Sequence, residues 1–422
     1  MSNVTEATES TSTRFQEADI EQAQKLVGAY FPTQKHEHFR TATPDVIRNF
    51  ATSYGDDNPL YTDDEYGVST RWGSQIAPPL IGVAVNTALE GDRRPKELRR
   101  PAFRNIQVFV SGSSWEHHRP VLPGDRLFQF EGFEKVEVKE SEFAGRSVIV
   151  TRRHVRMNQD ADVVSVARMI AIHTERAGAR DDSKRPAFEP ARYSAADIDE
   201  LDAAYAAERP RGAEPRYWED VQVGDAIEPR VKGPLTTTDI VVFHAGGYGF
   251  TPYGLYTSRL AFANRRRIGP FYVPNEYGIP DVAQRVHWDA DWARSVGTAT
   301  SYDYGILRDT WLNHALTDWM GDDGWIVRFS SQMRKFNYLG DVHRITGEIV
   351  AKRVDDGGRH VVDVELRGTN QRGEVTCPAT ATIALPTRSG GQVVLPPVDQ
   401  ATADMAAEFM ARHRELLAAQ RG

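Results

Sequence analysis

The sequence has a single cysteine, Cys377, among its 422 residues. One thiol can form neither an intramolecular disulfide nor a cysteine-based metal cage, so an oxidising compartment is not required. No apolar run approaches the roughly 18 residues that a membrane-spanning helix needs. The N-terminal segment lacks the basic and apolar regions of a signal peptide. We therefore expect a cytoplasmic protein without membrane contact.

The sequence also lacks an excess of positive charge. Lysine and arginine number 51 against 59 aspartates and glutamates, which gives a formal net charge of −8. No chain-wide basic field is available to bind nucleic acid, and no nucleic-acid partner is expected. A hydrophobic content of 40% with 26% charged residues is typical of a globular chain, and this length predicts two or three domains.

Composition divides the chain into two large parts. Residues 1–14 are rich in Ser, Thr and Glu and predict a disordered tail. Residues 177–214 are dominated by charge, Pro and Ala and predict a linker, with a helix capped by Ser194 that lies as a strap across both parts. Residues 389–422 predict a helical tail. The remaining residues, 15–176 and 215–388, are the expected domains.

These two parts carry the same motifs in the same order, which indicates an internal duplication. The matching pairs are Asp45 with Asp239, Tyr61 with His287, Asp63 with Asp289, Gly124-Asp125 with Gly340-Asp341, and Asn158-Gln159 with Asn370-Gln371. The spacing between partners is nearly constant apart from one jump. That jump predicts an insertion of about 32 residues between Asp239 and His287 in the second copy.

The periodicity predicts one fold for both copies. Leu307, Trp311, Ala315 and Trp319 recur at helical spacing and predict a long buried helix. The β-rich runs that follow are separated by Gly, Asn and Asp turns, which is typical of an antiparallel meander. The first half repeats the strand pattern. We therefore expect an α+β fold in which each half has a long buried helix wrapped by an antiparallel β-sheet.

The segment Tyr54-Gly-Asp-Asp-Asn-Pro-Leu-Tyr61 resembles the Gly-Asp-x-Asn-Pro-x-His signature of the MaoC-like dehydratases, or (R)-specific enoyl-CoA hydratases (hydratase 2). The segment from Tyr217 to Asp225 resembles the usual opening of such a domain, and the two Gly-Asp turns resemble its later hallmark. The resemblance covers residues 30–175 and 215–386. It implies a tandem, or double, hotdog fold and reversible hydration of a 2-enoyl-CoA thioester.

Hydration of an enoyl thioester needs a base for water, a proton donor for the α-carbon and a donor for the enolate oxygen. In the family, these roles belong to the motif His, an Asp before it and a Gly at the head of the long helix. The first half has Tyr61 and Pro79 at the His and Gly positions. A phenol is a poor base at neutral pH and proline has no N–H. The first half is therefore expected to be degenerate and to accommodate substrate.

The second half retains the pattern more fully. His287 and Gly305 occupy the His and Gly positions, so the catalytic residues are expected to be His287, Asp281 and Gly305. The family position of the acid corresponds to Val282, and Asp281 stands beside it. The alternatives for the acid are Asp303, Tyr277 and Asp289, of which Asp289 also fits a helix N-cap.

The resemblance implies acyl-CoA as substrate and no separate cofactor. The residues expected to contact substrate are Arg265, Arg266, Arg267, Tyr277 and Tyr304, although the arginine run also fits a solvated surface. The insertion aromatics, among them Phe250, Tyr253, Tyr256, Phe271 and Tyr272, either line an acyl pocket or pack the insertion.

No metal site is expected. The pairs His36/His38 and His117/His118 lack further ligands at suitable spacing and fit strand-edge or surface histidines. A homodimer is the expected assembly. Two other functions stay open: a hotdog acyl-CoA thioesterase, and a non-catalytic subunit that binds acyl thioesters.

Overall fold

The protein is described by a computed structural model that covers residues 15–33, 37–99, 102–103, 106–141, 145–174, 188–248 and 257–421. None of the helices in these ranges is long and apolar enough to cross a bilayer. Phe250, Tyr253, Tyr256 and His36 lie outside the described residues.

Most of the described strands belong to one antiparallel sheet. The strands are β1 (Tyr30–Pro32), β2 (Gln107–His117), β3 (Phe128–Ser141), β4 (Gly145–Met157), β5 (Val163–Thr174), β6 (Ala226–Lys232), β7 (Tyr272–Pro274), β8 (Pro280–Val282), β9 (Trp325–Gln332), β10 (His343–Val354), β11 (His360–Asn370) and β12 (Val375–Ala384). The sheet order is β1-β3-β4-β5-β2-β9-β12-β11-β10-β6, and β7 and β8 form a separate ribbon within the insertion.

The helices pack on this sheet or lie in the linker and tail. They are α1 (Glu17–Lys25), α2 (Pro44–Ser53), α3 (Pro59–Thr62), α4 (Asp64–Ser69), α5 (Ala195–Ala207), α6 (Thr237–Ala245), α7 (Ser258–Arg267), α8 (Ala290–Ser295), α9 (Gly305–Met320) and α10 (Gln400–Arg421). The linker helix α5 begins with a capping box between Ser194 and Asp197. The α+β class is therefore confirmed.

The two halves of the sheet have the same topology. Each half contributes five strands, and within each half the first strand in sequence lies at the outer edge while the second lies at the centre of the sheet. The central strands β2 and β9 pair antiparallel, from Gly112 opposite Gln332 to Glu116 opposite Arg328. One continuous sheet thus joins the two copies.

The helix predicted in the second half is present, and it is α9. Its residues from Ile306 to Met320 are all buried, including the four apolar residues that predicted it. Aromatic and aliphatic side chains from both halves pack around α9 in one core cluster. Burial also includes the polar side of α9, where Thr310, Asn313, His314 and Thr317 recur at helical spacing.

The corresponding long helix is not found in the described part of the first half, and that expectation was wrong. After Pro78-Pro79 the chain makes a single 3₁₀ turn, Ile81–Val83, and then runs extended. Isolated bridges tie Val85 to Phe39 and Thr87 to Phe128. Two successive prolines remove backbone donors and Gly82 weakens helix propensity, so the apolar residues here are buried in extended backbone instead.

Candidate active site

His287 ends a short 3₁₀ helix, Ala283–His287, directly after the β7–β8 ribbon. Its Nδ1 lies 2.8 Å from the carbonyl oxygen of Tyr302. Because a carbonyl can only accept, the proton of the neutral imidazole belongs on Nδ1 and the lone pair on Nε2. Burial lowers the pKa of His287 to about 3. The imidazole is therefore neutral at physiological pH, and its Nε2 is unprotonated.

The ring of His287 lies against the start of α9. Its centroid is 3.7 Å from that of Tyr304, the residue that precedes the first helical turn. No side chain caps this end of the helix. The first two amides, those of Gly305 and Ile306, have no partner inside the helix, and they lie at the positive end of its dipole. The structure thus brings His287, Tyr304 and Gly305 together.

Tyr304 is held by two residues that the sequence analysis missed. Its hydroxyl lies 2.6 Å from Nε2 of His244 on α6 and accepts a 2.8 Å hydrogen bond from Nε2 of Gln284. Burial lowers the pKa of His244 to about 4, so His244 is neutral and its ring can hydrogen-bond the Tyr304 hydroxyl without carrying a charge. The sequence contained a signal for His244, because the duplicated motif has a histidine at position 244 where the first half has Phe50.

Asp281, the expected acid, lies on β8. Its carboxylate accepts a 2.7 Å hydrogen bond from the Val282 amide and a 3.5 Å bond from the side chain of Asn275. Both contacts stay within the ribbon. The role of Asp281 as the acid stays a prediction.

Asp303, one of the alternatives, directly follows the Tyr302 carbonyl that binds His287. It is 1% exposed, and its Oδ2 lies 2.9 Å from Nε of Arg308 and accepts a 3.1 Å bond from Asn337. Oδ1 has no hydrogen-bond partner among the described residues. Burial raises the pKa of Asp303 to about 7 despite the neighbouring guanidinium. Asp303 is therefore a carboxyl group that can exchange a proton near neutral pH.

The other two alternatives lie in different surroundings. Asp289 caps α8 by accepting a 2.9 Å hydrogen bond from the Trp292 amide, and it pairs with Arg285. This is the N-cap role that its position also predicted. Tyr277 lies at the turn of the ribbon and is 76% exposed.

The arginine run of the insertion lies in the last turn of α7. Arg265 is half-buried, whereas Arg266 and Arg267 are exposed. The Arg266 guanidinium lies 5.8 Å from the ring centroid of Phe262, and Arg267 donates to Asn264. The run is accessible to a phosphate, and the contact with coenzyme A stays a prediction.

The motif in the first half is built into a buried charge network. Asp56 accepts hydrogen bonds from the Tyr54 hydroxyl (3.0 Å) and the Asn58 amide (3.1 Å). It also lies 3.6 Å from Nε2 of His314 on α9. Burial raises the pKa of Tyr61 well above its usual range, so the phenol at the motif His position stays neutral.

Asp56, His314 and Asp318 lie close enough together to hold a metal ion. However, Lys232 Nζ lies 2.7 Å from His314 Nδ1, and Arg230 donates a 2.8 Å hydrogen bond to Asp318. Two cationic side chains already balance the carboxylates, so this group fits a structural network better than a metal site. The expectation of no metal stays a prediction.

His117 and His118 are 4% and 8% exposed, and His117 is the last residue of β2, so they lie at the end of a strand and not on the surface. His118 Nδ1 lies 3.2 Å from the Pro396 carbonyl, which places His118 under the C-terminal tail. His117 instead lines a cleft in the first half, beside Tyr61 and Pro79. This cleft occupies the position that corresponds to the His287 site in the second half.

Known proteins resemble the chain over its first half and in its whole fold. Residues 27–166 match the family model "FAS1-like, dehydratase domain region". A solved MaoC-like dehydratase aligns with a TM-score of 0.57 at 15% identity, over 86% of this chain and 99% of that chain. The double hotdog fold and the resemblance to MaoC-like dehydratases are confirmed.

Two curated relatives align with part of this double hotdog chain. A "UPF0336 protein" of Streptomyces avermitilis is 29% identical over 156 residues, which are 36% of this chain and 96% of that protein. A "Probable enoyl-CoA hydratase alpha subunit" of Thermomonospora curvata is 24% identical over 133 residues, which are 29% of this chain and 42% of that protein.

Proposed function

We propose that this protein catalyses the reversible hydration of a 2-enoyl thioester at the His287 site of its second half. The observation that carries the proposal is the neutral imidazole of His287, with its Nε2 lone pair, at the uncapped start of α9. The dehydratase names of the similar proteins support the same reaction class.

In this proposal His287 Nε2 removes a proton from water, and the hydroxide adds to the β-carbon of the enoyl group. The negative charge moves to the thioester oxygen, where the Gly305 amide and the positive end of the α9 dipole stabilise the enolate. Asp303 then donates its proton to the α-carbon. Burial favours the protonated form of this carboxyl group at neutral pH. Dehydration follows the same steps in reverse, and Asp281 is the second candidate for the acid.

The substrate carrier is part of the same proposal. Coenzyme A is the expected carrier because Arg266 and Arg267 expose two guanidinium groups on the insertion that leads to His287. A homodimer is the expected assembly. Sedimentation velocity of the purified protein, with and without an acyl-CoA, measures both the assembly and ligand association.

The test is to replace His287 by alanine and follow hydration of a panel of 2-enoyl-CoA thioesters by loss of enoyl absorbance. We expect kcat to fall by at least about a hundredfold, because a positioned base contributes that much or more. His360→Ala, a half-buried histidine in the same half, is the matched control and should retain full activity. Unchanged hydration by the His287 variant would contradict the proposal.

The acid is identified by comparing Asp303→Asn with Asp281→Asn in the same assay. We expect the larger loss of kcat from Asp303→Asn. A larger loss from Asp281→Asn would assign the acid to the ribbon. Release of free thiol from acyl-CoA would instead identify a thioesterase, and acyl-CoA binding without turnover would identify a non-catalytic subunit.

A further inference from the structure

The cleft in the first half is a cavity separate from the His287 site. It lies at the C-terminal end of α9, where Thr317 and Met320 line it. His287 lies at the N-terminal end of the same helix. At 1.5 Å per residue, the two ends of α9 are roughly 20 Å apart. Most of the lining side chains are apolar, among them Leu60, Ile76, Val121, Leu127 and Val164.

One row of polar side chains crosses the sheet beside this cleft. His117 on β2 lies opposite Ser165 on β5, and Ser165 lies opposite Arg156 on β4. Directly opposed residues of antiparallel strands project from the same face. Because His117 and Ser165 line the cleft, Arg156 projects from the face of the sheet that the cleft occupies.

Arg156 is a buried cation without a counter-ion. It is 8% exposed, and within the described ranges no carboxylate lies within ion-pair distance of it. Its Nε donates a 3.0 Å hydrogen bond to the carbonyl of Gly82, and its guanidinium carbon lies 5.0 Å from the ring centroid of Trp115. Nη1 has no hydrogen-bond partner among the described residues. An uncompensated buried charge is costly, which points to an anion that is supplied from outside.

A glycine in the wall of the cleft leaves space for the Arg156 side chain. Gly82 lines the cleft, and a Cβ at this position would lie 2.4 Å from Cδ of Arg156. Glycine therefore leaves the room that the arginine occupies. His117 is 4% exposed, and its Nε2 also has no hydrogen-bond partner among the described residues. His117 thus lines the cleft, and Arg156 packs behind Gly82 in its wall, on the same face of the sheet.

We propose that the first-half cleft binds an aliphatic carboxylate, with the carboxylate on Arg156 and His117 and the chain among the apolar side chains. A guanidinium and a carboxylate form two parallel charge-assisted hydrogen bonds, and a neutral imidazole can donate a third from Nε2. This binding site is independent of catalysis at His287.

The experiment is calorimetric titration of the full-length protein with octanoate, octanol and inorganic phosphate. We expect octanoate to bind at least about tenfold more tightly than octanol, because hydrogen bonds to a charged group are stronger than neutral ones. Phosphate, which has no chain to bury, should bind more weakly than octanoate. Equal affinity for octanoate and octanol, or no binding of octanoate, would overturn the proposal.

The variant Arg156→Gln should weaken octanoate binding by about tenfold or more and leave octanol binding unchanged. The matched control is Arg168→Gln on β5, because Arg168 is paired with Glu116 and Glu134. It should bind octanoate normally. If Arg156→Gln does not fold, His117→Gln provides the same comparison. A folded Arg156 variant with undiminished affinity for octanoate would refute the assignment.

The hydration proposal and the carboxylate-binding proposal can be tested independently of each other. His287→Ala should lose hydration and keep octanoate binding, whereas Arg156→Gln should lose octanoate binding and keep hydration. Loss of octanoate binding in the His287 variant would mean that octanoate occupies the His287 site, and would overturn the second site.

Discussion

Burial and a neighbouring guanidinium have opposite effects on the pKa of Asp303, and the effect of burial is the larger one. The Arg308 ion pair and the Asn337 hydrogen bond both favour the charged carboxylate, yet the pKa is raised to about 7. A carboxyl group with a pKa of about 7, next to the start of α9 and to the residue that binds His287, is suited to proton exchange. It also makes folding sensitive to pH.

We predict that Asp303→Asn flattens the dependence of thermal stability on pH. The folded pKa of about 7 lies above the ordinary value of 3.8, so the folded state binds this proton more tightly. The resulting stabilisation is complete below about pH 4 and is lost as the pH rises through about 7. The change is on the order of 4 kcal/mol. Thermal unfolding of both proteins across this range measures it, and parallel curves would contradict the prediction.

At the scale of elements, the duplicated Gly-Asp turns show the same hydrogen bonds twice. Gly124 and Gly340 have φ angles of +99° and +90°. The aspartate that follows each glycine accepts a bond from its own turn and another from the side chain of a glutamine in a neighbouring turn. These glutamines are Gln159 and Gln371. The first turn is thereby fixed to the β4–β5 hairpin and the second to the β11–β12 hairpin.

We predict that Gly124→Ala and Gly340→Ala each lower the free energy of unfolding by about 1–2 kcal/mol, because a side chain is strained at positive φ. Gly269→Ala is the control, since a Cβ there meets no atom within 4 Å and its φ lies outside the strained region. It should change stability by less than about 1 kcal/mol. Urea denaturation of the three variants compares them. Equal effects at all three positions would contradict the role of the turn conformation.

Local signals in the sequence predicted α9, the hairpins and the duplicated turns, because periodicity and turn residues are short-range features. The first-half helix was wrongly predicted because buried apolar residues from Leu80 to Leu89 suit an extended chain as well as a helix. The contacts of His244 with Tyr304, and of Arg156 with Gly82, depend on which residues face each other across elements. That information requires the register of the strands and the packing of the helices.

At the scale of the whole molecule, one sheet and one core cluster span both halves. The β2–β9 pairing joins the two five-stranded halves. Beneath it, Asp309 of α9 accepts 2.6 Å hydrogen bonds from Ser113 on β2 and Ser331 on β9. A carboxylate on the central helix thus binds one strand from each half.

We predict that the chain unfolds in one cooperative transition. Trp115 reports on the first half and Trp319 on the second, and both belong to the shared core. Tryptophan fluorescence and far-ultraviolet circular dichroism should therefore give coincident denaturation curves. Measurements at two protein concentrations control for dissociation of an oligomer. Two separated transitions would show that the halves are independent units.

The linker joins both halves in one polypeptide, and this determines how substitutions can accumulate in each half. In an assembly of two identical polypeptides, every substitution appears in both copies, and neither pocket can diverge alone. Fusion into one polypeptide lets positions 61 and 79 change while positions 287 and 305 are kept. Because both sites belong to one polypeptide, they are also always produced in equal number.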